Sequence, residues 1–127
     1  MSEDSIEINN EEFKYSIAQQ KEIFVVSFVG ILNGRAAKKI EECLGRLQES
    51  QCRLLVLNFR EATHIEPTAY RHLVQLQHSI RKNEGSILRL CGFNPTWKSL
   101  LTDNGIIRGN ELSDNIRAAL SELTRLR

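Results

Sequence analysis

The sequence has little proline and little glycine, two and seven residues among 127. Collagen-like and low-complexity chains are therefore excluded. It also lacks a long hydrophobic run. The most apolar stretch, residues 23–32, is ten residues long and contains Ser27 and Gly30, whereas a membrane span needs about 20. Neither sign of charge dominates: 17 Lys and Arg stand against 16 Asp and Glu, a net charge of +1. A strongly basic nucleic-acid footprint is thereby excluded as the default reading. Cysteine is sparse: Cys43, Cys52 and Cys91 are odd in number and form no C-x-x-C pair. That pattern is no disulfide framework and no zinc or redox motif. It suits reduced, half-buried thiols in a cytoplasmic protein. The opening Met1-Ser2-Glu3-Asp4-Ser5 is acidic and polar and is read as no signal peptide.

What is present is a globular composition, 41% hydrophobic and 26% charged. A chain of this length forms one domain and buries on the order of two-thirds of its unfolded surface. Residues 1–12 carry five acids and no base, which predicts a loosely ordered acidic lead-in to a single domain over 13–127. Residues 13–18 alternate apolar and polar, the period of a strand. Residues 22–31 are rich in Val, Ile and Phe and make a second strand, broken by Asn33-Gly34. From Arg35 the period changes. Ala36, Ile40, Leu44 and Leu47 recur at three and four, predicting an amphipathic helix to about Glu49. Residues 53–59 are almost continuously apolar, as in a strand covered on both faces. Tyr70, Leu73, Val74, Gln77 and Ile80 mark the buried face of a helix over 67–81. A strand over 86–91 follows. Pro95 then opens a short helix stopped by Asn104-Gly105. Ile106-Ile107 is a short strand candidate, and Ser113 is the predicted cap of a last helix with Ile116, Ala119, Leu120 and Leu123 on one face. Helices between strands imply an α/β fold with a mostly parallel sheet, the first strand pair being a hairpin.

The motifs point away from enzymes. Gly92-Phe93-Asn94-Pro95-Thr96-Trp97-Lys98-Ser99 is one residue short of a phosphate-binding loop. Tryptophan replaces the glycine that lets amides close on phosphate, and Pro95 removes an amide from the cradle. Trp97 reads instead as a core or interface anchor. His64-Ile65-Glu66 matches half of a zinc deaminase signature, but the P-C-x-x-C half is absent. His72 and His78 lie six apart, not at the four-residue spacing that sets two imidazoles on one metal. All three histidines read as surface or cap residues. No metal site, cofactor or catalytic residue is expected. Residues 71–98 hold Arg71, Arg81, Lys82, Arg89 and Lys98 against Glu84 alone. This is either a solvated basic face or a site for an acidic partner or phosphate.

One loop remains. In Glu66-Pro67-Thr68-Ala69, Pro67 suits the first helical position and holds Glu66 extended. Thr68 then falls in the first turn, where free amides and the helix dipole favour negative charge. It is either a plain polar first-turn residue or a site where phosphate would be welcome.

Four landmarks resemble a STAS domain, the family of bacterial anti-sigma factor antagonists and related modules. Val29-Gly30-Ile31-Leu32-Asn33 resembles the family's G-x-L-D turn. Leu55-Val56-Leu57-Asn58-Phe59 resembles its central strand. Glu66-Pro67-Thr68-Ala69 stands where the family has its D-S-S/T-G switch. Leu90-Cys91-Gly92, the Trp97–Leu101 helix and Asn104-Gly105-Ile106 resemble its later landmarks. The resemblance covers roughly residues 13–125. It implies a single domain with a small mixed, mostly parallel sheet and helices mainly on one side.

The resemblance also implies a non-catalytic protein-binding regulator, an anti-sigma factor antagonist. Its implied partners are an anti-sigma factor that is also a serine/threonine protein kinase, and a metal-dependent phosphatase. Thr68 is the implied phosphoacceptor. Asn33, Gly34, Glu66, Pro67, Thr68, Ala69, Tyr70, Gly92, Phe93 and Trp97 make up the implied partner surface. No nucleic acid and no direct membrane insertion are expected. The departures are Glu66 for the family aspartate, Pro67 for its first switch serine, Ala69 for its glycine and Asn33 for the acid of the turn. They leave a second expectation open: a STAS subunit of a transport ATPase, or of a stress-signalling complex, without a phospho-switch.

Overall fold

The structure is a computed structural model and describes residues 12–126. Strands β1 (Lys14–Gln20) and β2 (Ile23–Leu32) form an antiparallel hairpin. A 3-10 turn, Gly34–Ala36, leads into helix α1 (Ala37–Glu49). Strand β3 (Leu54–Ile65) follows, then a second 3-10 turn, Pro67–Ala69, and helix α2 (Tyr70–Arg81). Strand β4 (Ile87–Cys91), helix α3 (Pro95–Asp103) and helix α4 (Ile116–Leu126) complete the chain. The sheet order is β1-β2-β3-β4, with β3 parallel to both neighbours. The result is an α/β domain with a mixed, mostly parallel sheet.

Two faces of the sheet explain the continuous apolar reading of residues 54–59. Phe24, Val26 and Phe28 of β2, with Leu55, Leu57 and Phe59 of β3, join Ile40, Leu47, Leu73, Leu76 and Ile80 of α1 and α2 in the main core. Alternate residues Ile23, Leu54 and Val56 face the other way and pack on Ala119 and Leu123 of α4. The period-2 alternation of a strand thus serves two apolar layers at once. An aromatic chain runs through the main core, from Phe13 through Phe28 and Phe59 to Phe93, with successive centroids 5.4, 5.1 and 4.4 Å apart.

The structure corrects several sequence expectations. Strand β3 runs on to Ile65, six residues past Phe59, because the chain keeps pairing with β2 while Glu61, Thr63 and His64 are exposed and Ile65 returns to the core. Ile106-Ile107 is not a strand. Both amides turn back to the Leu101 carbonyl at the end of α3, and Ile107 fills the core. Beyond β4 the one further parallel contact among the described residues is a single bridge, Leu90 to Leu112. Asn115, not Ser113, caps α4, its side chain accepting from the Ala118 amide at 2.8 Å. The Ser113 hydroxyl donates to Glu122 instead, at 2.7 Å, and with Arg89 holds that carboxyl below its ordinary pKa. On α2, Val74 is exposed and Leu76 takes its place in the core. Gln77 is buried there because its amide donates to the Leu73 and Ile106 carbonyls. Of the expected lead-in, residues 1–11 lie outside the described residues. Glu12 is exposed and pairs with Lys39 at 3.3 Å.

Candidate functional site: two joined turns at the ends of the parallel strands

Parallel strands β2 and β3 end side by side, with Leu32 opposite Ile65. Each then enters a 3-10 turn that starts a helix. The two turns are built alike. Asn33 accepts the Ala36 amide on its carbonyl at 3.0 Å and the Arg35 amide on its side chain at 2.9 Å. Glu66 accepts the Ala69 amide at 2.9 Å and gives its own amide to the Leu32 carbonyl at 2.8 Å. Glu66 is extended, at φ −92° and ψ 152°, as the following proline requires.

One bond joins the turns to each other. The Gly34 amide donates to the Thr68 hydroxyl oxygen at 3.0 Å. The two residues are 34 apart in sequence, so no local pattern announced the contact. Gly34 is not there for want of space: a Cβ on it would sit 3.7 Å from the Thr68 Cβ, an ordinary contact. Thr68, Glu66, Pro67 and Gly34 are exposed, and Asn33 is half-buried. Ala69 is fully buried and supports the turn from beneath. Tyr70 is half-buried against the core. The first turns of α1 and α2 contain no acid. Arg71 follows Thr68 by three residues, Arg35 follows its bonded partner Gly34, and Glu66 is the one acid within the two turns.

The loop after β4 packs elsewhere on β3. Gly92 has φ +94°, and a Cβ there would lie 2.4 Å from the Arg60 amide nitrogen and 2.8 Å from Asn58 Oδ1. Only glycine satisfies both the left-handed backbone and the close approach. Phe93 stacks on Phe59. Trp97 is half-buried against the main core, and its amide is taken by the Asn94 side chain at 2.8 Å. Gly92 and Phe93 therefore sit against the middle of β3, while the joined turns sit at its end.

Sequence reasoning gave no site role to Asn58, a polar residue inside an apolar strand. It is buried, donates to Ser27 Oγ at 3.3 Å and accepts from the Arg60 amide at 3.2 Å and the Cys91 thiol at 3.7 Å. It ties three strands below the Gly92 loop. With Arg60, Gly92 and residues 114–117 it lines an open cleft of about 520 Å³. Burial pushes the Cys91 thiol up to about 11, and Cys43 and Cys52 to about 12. His64 and His78 are exposed. His72 is half-buried between α1 and α2, and its Nδ1 has no hydrogen-bond partner. Among the described residues, no group of three His, Cys, Asp or Glu side chains is placed to hold a metal, and no helix is long and apolar enough to cross a membrane.

Comparison with known proteins bears on the family. An anti-sigma factor antagonist from Mycobacterium paratuberculosis has the same fold, with TM-score 0.78 at 13% identity, over 90% of this chain and 96% of that one. A variant of RsbS from Moorella thermoacetica gives 0.76 at 21%, over 89% and 97%. A sulfate transporter family protein from Wolinella succinogenes gives 0.72 at 22%, over 86% and 90%. No curated protein matches the chain by sequence. The profile of the STAS domain matches residues 14–119, so the chain belongs to the STAS domain family.

Proposed function

We propose that the protein is a non-catalytic bacterial regulator of the anti-sigma factor antagonist kind, working in the cytoplasm through the joined turns. Its partner on this reading is an anti-sigma factor with serine/threonine kinase activity, and a metal-dependent phosphatase reverses the kinase. Asn33, Gly34, Glu66, Pro67, Thr68 and Tyr70 form the partner face, supported by Ala69, with Gly92, Phe93 and Trp97 at its margin. Thr68 is the phosphoacceptor.

The observation that carries this reading is the position of Thr68. It is an exposed hydroxyl at the start of a helix whose first turn has no acid. A phosphate adds about −1.5 to −2 charge at neutral pH. The helix dipole and Arg71 tolerate that charge within the domain. At an interface it must be desolvated beside Glu66, which is costly without a matched partner. Phosphorylation would then release the partner and leave the fold intact.

A second reading rests on the same bond. The Thr68 oxygen already holds the Gly34 amide, and the stiff Pro67 precedes it. Thr68 is then a structural hydroxyl, and the protein is a STAS subunit of a transport ATPase or stress-signalling complex without a switch. Thr68→Glu and Thr68→Gln separate the two in one co-purification assay against a kinase-type anti-sigma factor. The switch reading expects Glu to abolish capture and Gln to keep most of it. Equal losses would show that charge is not the signal.

A further inference from the structure

We infer that the open cleft between the end of β4 and the start of α4 binds the phosphate monoester of a small hydroxylated molecule. Its place in the topology comes first. After β4 the chain crosses to the main-core side of the sheet, where Trp97 and Leu101 of α3 pack. Residues 112–113 then return alongside β4: Leu112 bridges Leu90, and the Ser113 amide donates to the Leu90 carbonyl at 2.8 Å. From there the chain leaves to the opposite side, where Ala119 and Leu123 of α4 pack with Leu54 and Val56. Two neighbouring parallel segments thus send their carboxyl ends to opposite faces. In open α/β sheets the crevice outside such ends is where ligands bind. The cleft of about 520 Å³ lies there, lined by Gly92 from one exit and residues 114–117 from the other. That volume is within the range of small-molecule sites.

The lining chooses the ligand. Arg60 and Arg117 both line the cleft, and among the described residues neither guanidinium has an ion-pair partner. Two unpaired guanidiniums in one crevice repel each other and match the paired oxygens of a phosphate. The floor holds a second donor. Asn58 is 6% exposed, yet its amide nitrogen has one acceptor among the described residues, Ser27 Oγ at 3.3 Å. That nitrogen carries two hydrogens. The Asn58 oxygen is already taken by the Arg60 amide and the Cys91 thiol. A buried N–H without an acceptor is costly, and a ligand oxygen in the cleft supplies one. At Gly92 a Cβ would lie 2.8 Å from Asn58 Oδ1, so no side chain covers Asn58 from that side. The amides of Ile116 and Arg117 donate to no group among the described residues, and the α4 dipole adds to the attraction. Asp114 is the one acid in the lining. It opposes a bare anion but accepts from a hydroxyl, which favours an ester over inorganic phosphate.

The inference goes beyond the proposed function and does not rest on it. Binding is measured on the protein alone, so its failure leaves the anti-sigma factor reading standing. Ribose-5-phosphate, free ribose and inorganic phosphate are each titrated into the isotope-labelled full chain and followed by NMR. With ribose-5-phosphate the amides of Gly92, Ile116 and Arg117 and the side-chain amide of Asn58 should shift and saturate, with a dissociation constant of about 1 mM or tighter. Those of Gln51 and Gly85 should stay in place. Inorganic phosphate should move the same signals but bind more weakly, and ribose should move none. Arg60, Asp114 and Arg117 are exposed, so substitutions there keep the fold. Arg60→Gln and Arg117→Gln should each weaken the ester about tenfold, the loss of one charge-assisted hydrogen bond. Asp114→Ala should bring inorganic phosphate level with the ester. The absence of a saturable shift, ester affinity unchanged in both arginine variants, or inorganic phosphate binding the unaltered protein as tightly as the ester would each overturn the inference. So would shifts centred on Arg81 and Arg108 instead of on this cleft.

Discussion

The Gly34 amide and the Thr68 hydroxyl oxygen are 3.0 Å apart, and this bond links the turn after β2 to the turn after β3. Removing the oxygen tests its weight. Thr68→Val keeps the shape and deletes the acceptor, leaving the Gly34 amide to water. Because the site is exposed, the expected loss is small, about 0.5–1 kcal/mol in denaturant melts. The sharper readout is hydrogen exchange at Gly34, which should speed up in Thr68→Val and stay protected in Thr68→Ser. Equal exchange rates in all three proteins would mean that the bond does not persist in solution.

The two glycines of the proposed partner face should respond unequally to alanine. Gly92→Ala forces a left-handed backbone onto a residue with a Cβ and drives that Cβ to 2.4 Å from the Arg60 nitrogen. The backbone term alone is roughly 1–2 kcal/mol, and the clash adds to it, so a loss of at least about 2 kcal/mol is expected. Gly34→Ala meets the Thr68 Cβ at 3.7 Å and should change stability by less than about 0.5 kcal/mol. Thermal or urea melts of the two variants decide this. A tolerated Gly92→Ala would mean that the β4 loop does not sit against β3 as described.

Core substitutions should follow the faces. Leu57 is fully buried between α1, α2 and the aromatic chain, and Leu57→Ala should cost roughly 2–5 kcal/mol by leaving a cavity. Val74 shares an apolar spacing with Leu73 but is 39% exposed, against 1% for Leu73. Val74→Ala should therefore cost under about 0.5 kcal/mol, and Leu73→Ala several times more. Urea midpoints of the three proteins check the order. A Val74→Ala loss matching that of Leu73→Ala would put α2 in a different rotation.

These faces also show what the sequence made legible. Hydrophobic period located α1, α2 and α4, and β-branched richness located β2 and the buried half of β3, because burial on a regular element writes its period into the chain. Val74 was misread because period alone cannot separate the edge of an apolar stripe from its centre. The polar half of β3 gave no signal, since it pairs with β2 while Arg60, Glu61, Thr63 and His64 are exposed, and Ile65 is the one buried residue of the stretch 60–65. Ile106 and Ile107 read as a strand because they are apolar, yet their burial comes from wrapping under α3. Thr68 was legible as a first-turn residue from the proline before it. Its tie to Gly34 was not, because that contact depends on how two strands end in register.

The three cysteines make a prediction about pH. All are buried, and burial raises the thiols to about 12 for Cys43 and Cys52 and about 11 for Cys91, from an ordinary value of 9.0. A thiol is neutral when protonated, so the native state favours the protonated form. Below about pH 9 both native and unfolded chains keep the proton, and the thiols impose no pH dependence. Above it the unfolded chain ionises first, and stability falls as pH rises toward 11–12. Each thiol contributes up to about 1.4 kcal/mol per pH unit within that window. Urea midpoints at pH 7, 8, 9.5 and 10.5 should be level across the first two and drop across the last two. Replacing Cys52 by alanine should make the drop shallower, even though the cavity lowers the whole curve. The same burial predicts that a thiol reagent at pH 8 labels none of the three until urea unfolds the chain. Fast labelling of the native protein, or a midpoint that rises between pH 9.5 and 10.5, would show that at least one thiol is open to water and ionised.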